Sequence, residues 1–291
     1  MTELTIQDQQ FAGFKDSVVL ITGGSSGIGL ATAQLAEKHG AKVVVGDINP
    51  LPTDAGKDIL YVPLDVTSWD SQSNFFKKSY EKHGRIDHVF ANAGQAPKFN
   101  FLDEVLNESG ELQEPNYDSF AINQRGIMNT TILALHYMKK QPSGGSIVVA
   151  SSIAGIIGFP ELDYSVAKHA LFGFARAVAH NLRAIPAHRN PAIRINTLAP
   201  SWTVTNMVPA ALAQLGANMQ EPDVVARAAG LLLVDSARHN QVVLVHGGRS
   251  WELSGAFDRA VEDSVPLIKP EVLGVFGEMR DWATYDKKEE K

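Results

Sequence analysis

The chain has no cysteine, which excludes disulfides, thiolate nucleophiles and cysteine-ligated metals. Its nine histidines form neither an HxxxH nor an HExxH pair, so each reads as a surface or satisfied polar residue rather than a metal ligand. An excess of basic residues is also missing. The net charge of −6 argues against nucleic acid or an anionic membrane as the main partner. No run of about 18 apolar residues occurs, as a membrane span would need, and Met1 to Phe14 is too polar for a signal peptide. A soluble, most simply cytoplasmic protein is the expectation, with no nucleic-acid and no membrane partner. Low-complexity segments and internal repeats are lacking. What remains is 291 residues, 44% of them apolar, enough for a substantial core in one large α/β domain or two small ones.

Strand and helix signals alternate, which predicts a doubly wound parallel sheet of about seven strands with helices on both faces. Ser17–Ile21, Lys42–Gly46, Ile59–Pro63, Ile86–Ala91, Ile147–Val149, Arg194–Leu198 and Gln241–Val245 read as strands. Helices are predicted over about Ile28–His39, Trp69–His83, Asn116–Met138, Glu161–Arg183 and Asp223–Val234. Small residues Ala167, Ala170, Gly173 and Ala177 suit the fourth of these to close packing against another helix or subunit.

Between the first strand and the first helix lies Thr22–Gly29, TGGSSGIG. A glycine-rich turn opening a helix is an anion site, because unpaired N–H groups and the helix dipole point at a phosphate. Gly23, Gly27 and Gly29 would allow the tight turn, close approach of a pyrophosphate and close helix packing. Asp47 ends the second strand about 20 residues on, where a carboxylate can accept hydrogen bonds from ribose hydroxyls and would repel a 2′-phosphate. Gly24, Ser25, Ser26 and Ile48 are neutral, so NAD is favoured over NADP. Asp47 could instead be a turn residue before Asn49-Pro50. Asn92-Ala93-Gly94 follows the fourth strand, at the end of the sheet where ligands bind in such folds.

Tyr164 and Lys168 are four residues apart and would share one helix face. An ammonium beside a phenol favours the phenolate, so the tyrosine pKa is expected to fall from ~10 towards neutrality, giving a usable general acid or base. Ser151 and Ser152 end the strand before this helix, placed to hold a substrate oxygen.

These segments resemble the short-chain dehydrogenase/reductase family, whose motifs TGxxxGxG, NAG, a catalytic asparagine, a serine and YxxxK all occur here in order, between about Lys15 and Gly248. The resemblance implies catalytic roles for Asn123, Ser152, Tyr164 and Lys168, with Tyr164 and Lys168 also binding the cofactor, Lys168 through ribose hydroxyls, and with Asn123 in a helix kink holding a water that links the lysine to solvent. It implies that Asp65 and Val66 hold the adenine, that Asn92, Ala93 and Gly94 border the ribose, and that Ser25, Ser26 and Ile28 complete the phosphate turn. Thr203 and Thr205 would meet the nicotinamide amide or the pyrophosphate. Spacing from the tyrosine would pick Ser151 as the oxygen-holding residue; alignment on SSxAG picks Ser152, which is preferred. Two positions depart from the family pattern. Ser201 follows Pro200 where a glycine is usual, which would be strained if that position needs a positive φ, and His246 precedes Gly247-Gly248 where an acidic residue is common.

The implied organisation is an arm (1–14), one Rossmann domain (15–250) with a lid near 200–220, and an extension (251–291). The implied reaction is hydride transfer between nicotinamide C4 and a carbinol carbon, with Tyr164 moving the hydroxyl proton. The expected substrate is a secondary alcohol or ketone on a hydrophobic small molecule, a lipid, steroid or secondary metabolite, since Phe159, Trp202 and Met207 are apolar. A homodimer or homotetramer is implied. Two alternatives stay open: an NADPH-dependent ketone reductase, and a dinucleotide-binding sensor or scaffold without turnover.

Overall fold

The computed structural model describes residues 1–184, 192–208, 214 and 216–264. Strands β2 (Val18–Thr22), β3 (Lys42–Asp47), β4 (Leu60–Pro63), β5 (His88–Ala91), β6 (Gly145–Ala150), β7 (Ile193–Pro200) and β8 (Val242–His246) run parallel, in the spatial order β8-β7-β6-β5-β2-β3-β4. The strands lie within one or two residues of their predicted limits. Their apolar runs are continuous because both faces of the sheet are covered. Val18 and Leu20 of β2 join a cluster with Phe75, Phe76, Met138 and Leu171, whereas Val19 and Ile21 join one with Phe11, Phe14, Ala33 and Leu232.

Helices α1 (Gly27–Lys38), α2 (Trp69–His83), α4 (Ile127–Met138), α5 (Leu162–Ala184) and α6 (Pro222–Val234) connect the strands. Two helices end as their sequences dictate. Ser68 caps α2 by accepting from Ser71 N–H, and Gly84 closes it with φ 71°. The predicted single helix over Asn116–Met138 is three pieces: a turn α3 (Asp118–Phe120), a π-helical segment Ala121–Gly126, and α4.

Two strands were not anticipated. Thr2–Leu4 (β1) and Arg249–Glu252 (β9) extend the β8 edge antiparallel, with an Arg249–Glu3 ion pair across them. Gly247 and Gly248, with φ 55° and 80°, form the two-residue hairpin turn joining β8 to β9. The first fourteen residues therefore carry an edge strand and a 3₁₀ turn, Asp8–Phe14, whose Phe11 and Phe14 are fully buried. The chain divides into two compact units, Thr2–Glu252 and Met1 with Leu253–Lys291. In the second, helix α7 (Ser254–Ser264) is described, while Leu267, Ile268, Phe276 and Trp282 lie outside the described residues. Among the described residues no helix is long and apolar enough to cross a membrane.

The sheet order reverses between β2 and β5. Beyond the carboxyl ends of those two strands lie Gly23 and Asn92, which puts the glycine turn and the NAG segment at one crevice.

Candidate active site

At that crevice Asn92 ties the two segments together. Its Nδ2 donates to the Thr22 and Gly23 carbonyls at 3.1 and 3.0 Å, and Thr22 Oγ1 accepts the N–H groups of Asn92 and Ala93. Gly29 is required by contact: a Cβ there would lie 2.1 Å from the Gly23 carbonyl oxygen. Gly27, at φ 52°, has Thr205 directly above it, with Cγ2 2.9 Å from where a Cβ would be. Turn and Thr205 thus form a backbone-lined slot at the start of α1, the environment a pyrophosphate needs.

The slot belongs to a cavity of about 640 Å³ lined by Gly23, Ser26, Gly27, Ile28, Asp47, Asp65, Val66, Asn92, Ala93, Gly94 and Thr205, with Met207 at one side. Of the predicted binding residues, Ser25, Gly29, Tyr164, Lys168 and Thr203 do not line it. The Ser25 hydroxyl donates to the Asn49 carbonyl, and Thr203, 3% exposed, donates to the Ser201 carbonyl. Asp47 is oriented at the cavity edge: one oxygen accepts Ser25 N–H at 3.0 Å, the other Asn49 N–H at 2.9 Å. Lone pairs remain on both oxygens for a diol. A dinucleotide fits this donor and acceptor set.

Gly94 marks the inner end. A Cβ there would sit 3.2 Å from Asn123 Oδ1 and 3.8 Å from Lys168 Nζ, so both stand directly behind this lining residue. Asn123 lies in the π-helical segment, fully buried; its Oδ1 accepts Gln95 N–H at 2.9 Å, and its Nδ2 has no protein partner. Lys168 Nζ donates to the Ala150 carbonyl at 3.0 Å and stands 5.3 Å from the centre of the Tyr164 ring. Ser152 is hydrogen-bonded with Tyr164, accepts Ala154 N–H at 3.2 Å and approaches the Pro200 carbonyl at 3.4 Å. Ser151 is differently committed, donating to the Lys168 carbonyl at 2.9 Å. Ser152, Tyr164 and Lys168 therefore lie close together, with Asn123 across Gly94 from the lysine.

Their electrostatics differ from the expectation drawn from the YxxxK spacing. Burial pushes the Tyr164 phenol up to about 12, with the hydrogen bond from Ser152 pulling the other way, and burial pushes the Lys168 ammonium down to about 7. Desolvation disfavours whichever form is charged. Burial thus works against the phenolate that the YxxxK spacing was expected to favour.

The concern over Ser201 also resolves. Among the described residues only Asp16 and Asn240 are non-glycine residues with positive φ, so Ser201 is unstrained. Three further residues organise the site, Asp163 and Gln220 without any sequence signal of their own and His246 marked only as a departure from the family pattern. Asp163, fully buried, accepts N–H groups from Lys98, Phe99 and Tyr164, clamping the 98–99 loop to the start of α5. The side chain of Gln220 spans Thr203 Oγ1, the Val245 carbonyl and Gly248 N–H, and its backbone bridges Thr203. His246 Nδ1 lies 2.9 Å from Ser201 Oγ.

A short chain dehydrogenase family model matches residues 17–216. The chain belongs to the short-chain dehydrogenase/reductase family. It is 43% identical over 272 residues to the short-chain dehydrogenase/reductase ascJ of Acremonium egyptiacum, covering 92% of this chain and 88% of that protein. To prx4 of Penicillium roqueforti, named likewise, it is 33% identical over 247 residues, covering 84% and 72%. The solved structure of Levodione reductase superposes with a TM-score of 0.66 at 29% identity, over 81% of this chain and 98% of that one. The protein is thus an oxidoreductase of CH–OH or ketone groups on small molecules, in a family that binds NAD(P).

Proposed function

We propose that this short-chain dehydrogenase/reductase uses NAD to interconvert a secondary alcohol and a ketone on an apolar small molecule, with Tyr164 as the proton-transfer group. The observation that carries this reading is the continuity of one cavity, from an Asp47 carboxylate at its edge to Gly94 beside Asn123 and Lys168. A carboxylate with free lone pairs suits a ribose diol and repels a 2′-phosphate. Gly23, Ser26, Gly27 and Ile28 would hold the pyrophosphate, Asp65 and Val66 the adenine, and Asn92, Ala93, Gly94 and Thr205 the remaining ribose and nicotinamide. Bound NAD supplies hydride acceptance and, when oxidised, a positive charge.

The chain's own residues handle the proton. The Ser152 hydroxyl orients the substrate oxygen, and Tyr164, whose phenolate the positive charge of bound oxidised NAD would favour against burial, takes the hydroxyl proton in oxidation and as the phenol returns it in reduction. Lys168, buried and poised near 7, can pass a proton between Tyr164 and solvent. Asn123 Nδ2, buried without a protein partner, supplies a donor for a water that connects Lys168 outward. The Phe159 and Trp202 rings, 5.5 Å apart, and Met207 favour an apolar substrate. A homodimer or homotetramer, the assembly the family resemblance implies, would bury the half-exposed Ile132 of α4 and Val166 of α5 if it formed across those helices.

A screen of secondary alcohols with NAD and with NADP, followed by absorbance of the reduced nicotinamide, tests the proposal. Turnover with NAD at least tenfold more efficient than with NADP is expected, on the ~1.4 kcal/mol that a repelled phosphate readily costs. Turnover preferring NADP would overturn the cofactor assignment. Dinucleotide binding without turnover, unchanged by Tyr164→Phe, would favour a sensor.

A further inference from the structure

Ser201 and His246 are the two places where the chain leaves its family's pattern, and in the structure they are one contact. Both stand just past the paired ends of neighbouring parallel strands, Pro200 being the register partner of Val245. Ser201 is held twice, its N–H donating to the Val245 carbonyl at 2.8 Å and its Oγ lying 2.9 Å from His246 Nδ1. Resting on the dehydrogenase reading above, we propose that His246 is a positioning residue that acts through Ser201 to fix the hydroxyl of Ser152.

The linkage is a single peptide plane. The Pro200 carbonyl and the Ser201 N–H belong to one planar trans unit and point in opposite directions. Aiming the N–H at Val245 therefore aims the carbonyl the other way, and the group it meets is Ser152 Oγ at 3.4 Å. The φ of Pro200 is fixed by its ring, so the remaining freedom of that plane lies in the ψ of Pro200 and in where Ser201 sits. His246 restrains the second.

Ser152 has one proton to give. Its Oγ accepts Ala154 N–H, and its proton is shared between the Tyr164 oxygen and the Pro200 carbonyl, so the placement of that carbonyl helps decide where the hydroxyl points. At 3.4 Å that acceptor is weak, and it orients the hydroxyl without withholding its proton from a substrate oxygen. A plane free to rotate would either draw the proton away or leave the hydroxyl undirected. Gln220 donates to the same Val245 carbonyl at 2.9 Å, so the backbone hold survives loss of His246 and the side-chain hold is what a substitution removes.

Ser201→Ala, His246→Ala, the double variant and His246→Asn, whose amide reaches the position of Nδ1, test this on the full chain with the best secondary alcohol from the screen. NAD affinity by protein fluorescence and the thermal midpoint are read alongside. Each alanine variant should lower kcat roughly tenfold, at the mild end of what misplaced catalytic geometry costs, with NAD affinity unchanged. The double variant should be no worse than either single, because both remove one interaction, and His246→Asn should recover most of the loss. Unchanged kcat in either single, multiplying losses in the double, or a loss matched by weaker NAD binding would overturn the proposal. Tyr164→Phe run in parallel separates the two levels: if it turns over normally the dehydrogenase reading itself fails, whereas an inactive Tyr164→Phe beside a fully active His246→Ala refutes only the positioning role.

Discussion

Lys168→Met offers a test of the buried site that needs no substrate. Lys168 is 3% exposed and burial lowers its pKa from 10.5 to about 7. A base with a depressed folded pKa binds fewer protons folded than unfolded. Its burial therefore costs stability in full below pH 7, and the cost fades as pH rises towards 10.5. At 1.36 kcal/mol per unit, the shift corresponds to roughly 5 kcal/mol at pH 6 and about 1 kcal/mol at pH 9.5. Methionine carries no charge and removes this dependence. It also removes the bond to the Ala150 carbonyl, a loss of about 1 to 3 kcal/mol that is the same at both pH values. Urea unfolding of wild type and variant should therefore differ in relative stability by about 3 kcal/mol between pH 6 and pH 9.5, with the variant gaining at the lower pH. That is a relative midpoint shift of about 1 M for an m value near 3 kcal/mol/M. Parallel pH profiles for the two proteins would refute the claim that Lys168 is held in a medium hostile to its charge. A variant that is more stable at pH 6 and yet inactive would show that the site keeps the lysine at a cost in stability.

Other consequences are open to direct measurement. Asp47→Ala should weaken NAD binding roughly tenfold, a loss of about 1.5 kcal/mol for a charge-assisted hydrogen bond, and narrow the preference over NADP in titrations of both dinucleotides. His88, largely buried, is lowered by burial to about 4 against a pull from Asp87. Its folded form resists protonation, so stability is present above pH 6.5 and is lost by up to about 3 kcal/mol as pH falls towards 4. His88→Asn should flatten that part of the profile in chemical denaturation. Asp163→Ala leaves the part-buried N–H groups of Lys98 and Phe99 without their acceptor and should lower stability by about 1 to 2 kcal/mol. It should also raise KM for substrate more than for NAD, since the loop beside Tyr164 is released.

Much of the site was legible because its signals are local. The run Val18–Thr22 followed by Gly23, Gly27 and Gly29 specifies strand, turn and helix within twelve residues, and each glycine proved necessary through a contact or a positive φ. Asp47 was placed by its distance from that turn. What escaped depends on contacts between distant residues or on burial. Thr2–Leu4 is too short to show a period, and only its pairing with β9 makes it a strand. The hairpin it pairs with is signalled by Gly247-Gly248 between apolar segments, the two-residue turn such hairpins use. The π-helical segment around Asn123 differs from α-helix in hydrogen-bond register, which composition does not encode. The pKa of Tyr164 follows from how deeply the fold buries it, and YxxxK spacing carries no term for that. Asp163 and Gln220 act by gathering backbone groups from several segments, so no short motif could have marked them.

The claim beneath all of this is that the phenol of Tyr164 exchanges a proton with the substrate oxygen. Its most direct measurement is NAD-linked turnover of the best secondary alcohol by wild type and Tyr164→Phe, with NAD affinity determined for both. The account predicts a loss of kcat of about a thousandfold, within the range for removing a general acid–base, at unchanged NAD affinity. A Tyr164→Phe protein that retains more than about a tenth of the wild-type kcat would contradict it, since that loss is smaller than any such role implies.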